Sequence, residues 1–181
     1  MNYIKTDIEG VWIVEPRVFG DSRGYYFESW KKSEFDEYVG KVDFVQDNQS
    51  KSCYGVLRGI HYQKGDFSQA KLVRVVQGSV LDVAVDLRES SPTFGKHVMV
   101  ELSADNKRQL FIPRGFGHAF LVTSPEAVFV YKVDNVYAPQ AEVSIRWDDP
   151  KLNIEWPIES DKLILSEKDL RGLSFDEAYH F

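Results

Sequence analysis

Between Lys71 and Asp149 the chain is a succession of short β-rich runs, and no other feature restricts its fold as tightly. The runs are "KLVRVVQ", "SVLDVAVDL", "KHVMVEL", "RQLFIP", "HAFLVTS", "AVFVYKV" and "VSIRWDD". Turn-forming stretches such as "GS", "ESSPTFG", "SADNK", "RGFG" and "SPE" separate them. Short strands recurring every ~8–12 residues predict an antiparallel sandwich or small barrel. Helical patterning is confined to the ends. "KKSEFDEYV" (31–39) predicts one short helix with Ser33 as a candidate N-cap. "LSEKDLRGL" (165–173) predicts another, with Ser166 as N-cap and Asp169 at its third position. A chain of 181 residues suits one domain, residues 1–181, with the N-terminal β segment and the C-terminal helical tail packed on the barrel.

Alternation assigns the faces of these strands. Leu81, Val83, Val85 and Leu87 share one face of "SVLDVAVDL", and Val80, Asp82, Ala84 and Asp86 the other. Tyr131 points the same way as Ala127 and Phe129, and Lys71 the same way as Val73 and Val75. In "RGIHYQ", strict alternation puts Arg58 and His61 on opposite faces. For both to line one site the strand must bulge, and Gly59 is the natural place.

Charge narrows the function. A formal net charge of −6 argues against a nucleic-acid footprint. An anionic ligand then requires a local basic cluster. The single cysteine, Cys53, rules out an internal disulfide framework and points to a cytosolic chain. No apolar run approaches the ~20 residues of a membrane span, and "MNYIKTDIEG" lacks the apolar stretch of a secretory leader.

The ionisable residues inside "VLRGIHYQKGDFSQAKLVRVVQGSV" (56–80) are the chemical puzzle. His61 is followed two residues later by Gln63, where a metal-binding barrel would place a second histidine. Glutamine is a poor transition-metal ligand, so no metal is expected. His61 is then a general base or a satisfied core histidine. Lys71 is a snorkelling edge residue or a fixed charge beside a developing oxyanion. "FGDSRGYYFESW" (19–30) reads as a surface hairpin, "FVQDNQSKS" (44–52) as a polar loop, and "IPRGFGHAF" (112–120) as a tight turn. Asp82, opposite the Leu81/Val83/Val85 row, would need a partner if buried, and His118 is the candidate.

Taken together, "RGIHYQ", "QAKLVRVVQGSVLDVAVDLRESSPTFG", "IPRGFGHAF" and "YKV…Y" resemble the dTDP-4-dehydrorhamnose 3,5-epimerase family. The resemblance runs from "FGDSRGYYFE" to "DDPKLNIEWP" and "LSEKD". It implies an all-β cupin jelly roll with short terminal helices, acting on a dTDP-4-keto-6-deoxy sugar without a cofactor. By this resemblance His61 is the base, Asp169 its carboxylate partner, Tyr131 the acid on the opposite sugar face, and Lys71 the charge near the keto oxygen. Arg23, Glu28, Gln46, Asp47, Asn48, Arg58, His118, Glu142 and Lys168 match substrate-binding positions, and Tyr137 matches an aromatic that stacks on the thymine. "GFGHAF" departs from the more usual GFAHGF at Gly117 and Ala119, without removing a reactive group.

The chemistry accounts for these residue types. A ketone at C4 acidifies the C–H bonds at C3 and C5, but a base alone is too weak unless the enolate oxygen is stabilised. Histidine has a suitable pKa, and a carboxylate on its other nitrogen orients it. Inversion needs a donor on the opposite ring face. Two alternatives stay open: an epimerase acting at only C3 or C5, and a non-catalytic barrel that binds nucleotide-sugars. The resemblance also implies a homodimer, and the apolar run "GVWIVEPRVF" (10–19) could supply a strand for the partner's sheet.

Overall fold

The computed structural model describes residues 1–181. Its strands are β1 (Asn2–Lys5), β2 (Trp12–Glu15), β3 (Phe19–Asp21), β4 (Gly24–Tyr26), β5 (Gln46–Cys53), β6 (Leu57–Gln63) and β7 (Lys71–Gln77). They continue with β8 (Ser79–Asp86), β9 (His97–Ser103), β10 (Gln109–Ile112), β11 (Phe116–Val122), β12 (Glu126–Val133) and β13 (Glu142–Ser144). The helices are α1 (Lys32–Tyr38) and the four-residue α2 (Glu167–Leu170). One sheet has the order β1-β2-β10-β7-β12-β5 and the other β13-β6-β11-β8-β9. They face each other as an all-β, cupin-like jelly roll.

The predicted alternation sorts the side chains between this interior and the outer layers. Val73 and Val75 of one sheet meet Val80, Ala84, Phe120 and Val122 of the other in the central core, with Tyr131 packed against it. Val83, Val85 and Leu87 point outward, where Phe175 and Ala178 of the C-terminal tail cover them together with Ile60 and Tyr62. The tail is tied down by Tyr62 Oη donating to the carbonyl of Tyr179 at 2.5 Å. Phe35 of α1 is fully buried on the outer face of the other sheet, edge-on to Phe111 at 5.1 Å. Burying such a ring contributes ~1.5–3 kcal/mol.

Four local expectations change. Ser33 lies inside α1, whose N-cap is Lys31 without a side-chain bond. The expected turn is confined to Arg114 and Gly115, and Phe116 and Gly117 are already strand, because β11 begins at Phe116 and pairs with Asp86. The polar loop 44–52 is mostly β5, an edge strand whose eight residues pair with β12. Its polarity reflects a strand with one edge and one face in water. Finally, within "GVWIVEPRVF" only Trp12–Glu15 form β2, and that strand is paired inside the chain on both edges, with β10 and with β1.

Candidate active site

The interior opens into a cavity of about 710 Å³ between the sheets, a usual size for a small-molecule site. Period-two alternation aims its lining. Gln46, Asn48 and Ser50 of β5 face it, as do Lys71 of β7, His118 and Phe120 of β11, and Phe129 and Tyr131 of β12. On β6 the expected bulge is present. His61 sits opposite His118 but Arg58 sits opposite Phe120, so β6 spends three steps against two on β11. Gly59 takes φ +126°, and a Cβ there would lie 2.5 Å from that of Ala119. This extra residue brings Arg58 and His61 onto one cavity wall.

His61 Nε2 lies 2.8 Å from Asp169 Oδ1. The oxygen is off the ring N–H axis, so Nε2 has no aligned hydrogen-bond acceptor. The contact is a close approach of ring nitrogen to carboxylate, an ion pair only once the imidazole has taken up a proton, of the kind that tightens when substrate fills a site. With Nε2 turned to the carboxylate and buried, Nδ1 is the nitrogen left to take a proton. Asp169 is itself held by a capping box. Ser166 Oγ and backbone N–H reach its Oδ2 at 2.5 and 3.2 Å, and the Gly59 N–H reaches Oδ1 at 3.2 Å. Burial alone would raise this carboxyl, but His61, Ser166 and the Gly59 amide overcome it and bring its pKa down to about 2.

Beneath the cavity, His118 Nε2 stands 3.0 Å from Asp82 Oδ2, with Asp82 fully buried. Burial lowers the His118 pKa, the Asp82 charge works against that, and Lys71 adds to it. Burial likewise lowers Lys71 to about 8, with Asp82 and Glu142 opposing and Lys168 reinforcing. The Tyr131 phenol is raised by burial, which Arg58 offsets and Glu142 augments. Ser52 Oγ accepts from Arg58 Nε and Nη2 at 3.2 and 3.1 Å. Arg58 and Lys71 thus face the cavity without a paired carboxylate. At the mouth, Lys168 pairs with Glu142, whose Oε2 accepts from Tyr137 Oη at 3.0 Å.

Three expected ligand residues lie elsewhere in this chain. Arg23 is on the β3–β4 hairpin, its side chain 87% exposed and paired with Asp21 at 2.6 Å. Glu28 follows that hairpin and does not line the cavity. Asp47 is on the opposite face of β5 from Gln46 and Asn48 and pairs with Lys132 at 2.8 Å. Gln63 spends its amide on backbone, donating to Phe67 and Val136 carbonyls and accepting the Ala138 N–H. The sequence reading missed Ser52 and the wall of Phe120 stacked on Phe129 at 4.2 Å. Ser52 carried only a faint signal, its place in the polar run.

A model of the family described as dTDP-4-dehydrorhamnose 3,5-epimerase matches residues 5–177. The chain belongs to this family. It is 57% identical over 182 residues to the dTDP-4-dehydrorhamnose 3,5-epimerase of Shigella flexneri, covering 100% of this chain and 99% of that one. The crystal structure of the Elizabethkingia anophelis dTDP-4-dehydrorhamnose 3,5-epimerase superposes with a TM-score of 0.95 at 51% identity, over 98% of this chain and 97% of that one. The Legionella pneumophila dTDP-6-deoxy-D-glucose-3,5-epimerase, solved with dTDP-4-keto-L-rhamnose, gives 0.93 at 47% identity, over 97% and 93%. These 3,5-epimerases share the whole fold, so the cavity described above belongs to an architecture common to the family.

Proposed function

We propose that this chain converts dTDP-4-dehydro-6-deoxy-D-glucose to dTDP-4-dehydro-L-rhamnose by inverting C3 and C5. One observation carries the mechanism: His61 stands on β6 of one sheet and Tyr131 on β12 of the other, with the cavity between them. A sugar ring lying there meets a base on one face and an acid on the other. His61 Nδ1 takes the proton alpha to the C4 ketone, and the electron pair moves into the C4 oxygen as an enolate. Lys71 stabilises that charge. Tyr131 donates its phenolic proton to the carbon from the opposite face and recovers one from solvent, while His61 releases the abstracted proton to solvent and is again neutral. Repetition at the second carbon completes the reaction, with no net oxidation and no cofactor.

Arg58, Lys168 and His118 are the proposed partners of the nucleotide-sugar, with Gln46, Asn48 and Glu142 at the walls and Tyr137 against the base. No helix is long and apolar enough to cross a membrane. We place the enzyme in the cytoplasm as a single-domain chain, where an exposed, unpaired Cys53 stays reduced. Its product would supply rhamnose for surface polysaccharide such as O-antigen. A homodimer fits Phe19, Tyr25 and Tyr26, exposed at 51%, 64% and 66% on a hairpin joined to neither large sheet. Such aromatic surface marks interfaces, and the hairpin carries Arg23 toward whatever covers it.

Proton NMR in deuterium oxide, with chelator throughout, tests the reading. Deuterium entering both C3 and C5 with formation of the L-rhamno product is expected. Exchange at one carbon alone would identify a mono-epimerase, no exchange a binding protein, and recovery only on adding a divalent ion a metal-dependent reaction.

A further inference from the structure

Ser166 borders the cavity, and its hydroxyl donates to Asp169 Oδ2 at 2.5 Å. We propose that Ser166 is a positioning residue for the His61–Asp169 pair; the proposal rests on His61 being the base. The argument begins with the number of directions Asp169 serves. Oδ1 faces His61 Nε2 at 2.8 Å and the Gly59 amide at 3.2 Å. Oδ2 has only Ser166, through its hydroxyl at 2.5 Å and its amide at 3.2 Å. A carboxylate rotates about one bond, so fixing Oδ2 decides where Oδ1 points. The His61 contact is off-axis and cannot fix it alone.

Helix capping accounts for the two reciprocal backbone bonds of the capping box, but not for the bond the Ser166 hydroxyl itself donates to Oδ2. α2 has four residues, too few to be stable by itself. Its N-cap bond, Asp169 N–H to Ser166 Oγ at 3.2 Å, is longer than the bond the same hydroxyl donates to the carboxylate. The segment just before Ser166 is independently anchored, with Ile164 bridging Val56 and its carbonyl accepting from Leu57 N–H at 3.1 Å. Ser166 therefore stands on a fixed base beside β6, and it transmits that position to Asp169 and on to His61.

Ser166→Gly, Ser166→Ala and Ser166→Thr separate the roles. Glycine caps a helix within a few tenths of a kcal/mol of serine but has no hydroxyl, whereas threonine keeps it. Kinetics with dTDP-4-dehydro-6-deoxy-D-glucose and ¹⁵N shifts of the His61 ring are the readouts. Glycine and alanine variants should each lose about 10–100-fold in kcat, the scale of an outer partner of a working side chain. KM should move less than ~3-fold. Threonine should restore kcat, and the ring shifts of the glycine variant should move toward a mixture of tautomers. Adding Ser166→Gly to Asp169→Ala should cost nothing more, since the two act in series. A glycine variant with parental kcat, a KM effect alone, or a full extra loss on top of Asp169→Ala overturns the assignment. Absence of turnover by the parent would instead sink the function; the ring shifts would still decide the role of Ser166.

Discussion

Asp169 and Gly59 are 110 residues apart in the chain, yet the carboxylate Oδ1 accepts the Gly59 amide at 3.2 Å while lying 2.8 Å from His61 Nε2. The bulge that turns His61 into the cavity and the acid that orients it are therefore one unit. Gly59 is its weak point, with φ +126° and Ala119 and the His118 carbonyl within 2.6 Å of an added Cβ. Gly59→Ala should cost ~3 kcal/mol or more, combining backbone strain with a clash against strand backbone. Urea denaturation checks this; a loss under ~0.5 kcal/mol would mean that the bulge tolerates a side chain.

The two proton-handling residues should separate by exchange. His61→Asn should abolish both solvent exchange and epimerisation, because no enolate forms. Tyr131→Phe should still exchange from the His61 face while losing inverted product by ~10²–10⁴-fold. Deuterium incorporation alongside product formation measures both. Equal loss of exchange in the two variants would contradict the division of labour.

Lys71 couples activity to pH and stability in opposite senses. Its pKa near 8 places loss of the enolate-stabilising charge there, so kcat/KM should fall as pH rises through about 8. The unfolded chain, with lysine at 10.5, binds more protons between those values. Stability therefore rises with pH across that window, and below it the buried charge is a standing cost. Lys71→Met should remove most activity yet stabilise the fold at pH 7 by on the order of 1–3 kcal/mol, the lower end allowing for water in the open cavity. Melting curves at pH 7 and 10 test the sign.

Asp82 opposes the lowering of both Lys71 and His118. Asp82→Asn keeps a polar partner for His118 but removes the charge. The basic limb of the pH–rate profile should then move to lower pH, while Lys71→Met should show no such limb. An unmoved limb in Asp82→Asn would show that Asp82 does not set the Lys71 charge.

The exposed β3–β4 hairpin gives an expectation for assembly. Sedimentation at micromolar concentration should report a dimer, and Tyr25→Ser with Tyr26→Ser should weaken it. A parent chain that sediments as a monomer would remove the proposed homodimer.

Local pattern determined much of this protein. Alternation in β7, β8 and β12 put Lys71 on one face with Val73 and Val75, Asp82 with Val80 and Ala84, and Tyr131 with Ala127 and Phe129, because which side chains share a face depends only on parity. The need for a bulge at Gly59 followed from the same parity, and the Ser166–Asp169 cap from its spacing. The roles of the ionisable residues came from resemblance, since isolated histidines and lysines have ordinary structural uses. Tertiary structure alone decided what parity cannot reach. It made the polar run 46–53 an edge strand, because pairing with β12 satisfies backbone that composition assigns to a loop. That strand then divided Asn48 from Asp47 between cavity and outer face. It also brought Asp169 to His61 and left Arg23 in solvent. Distances between remote residues arise from how two sheets and a tail pack, and no single stretch of sequence contains that information.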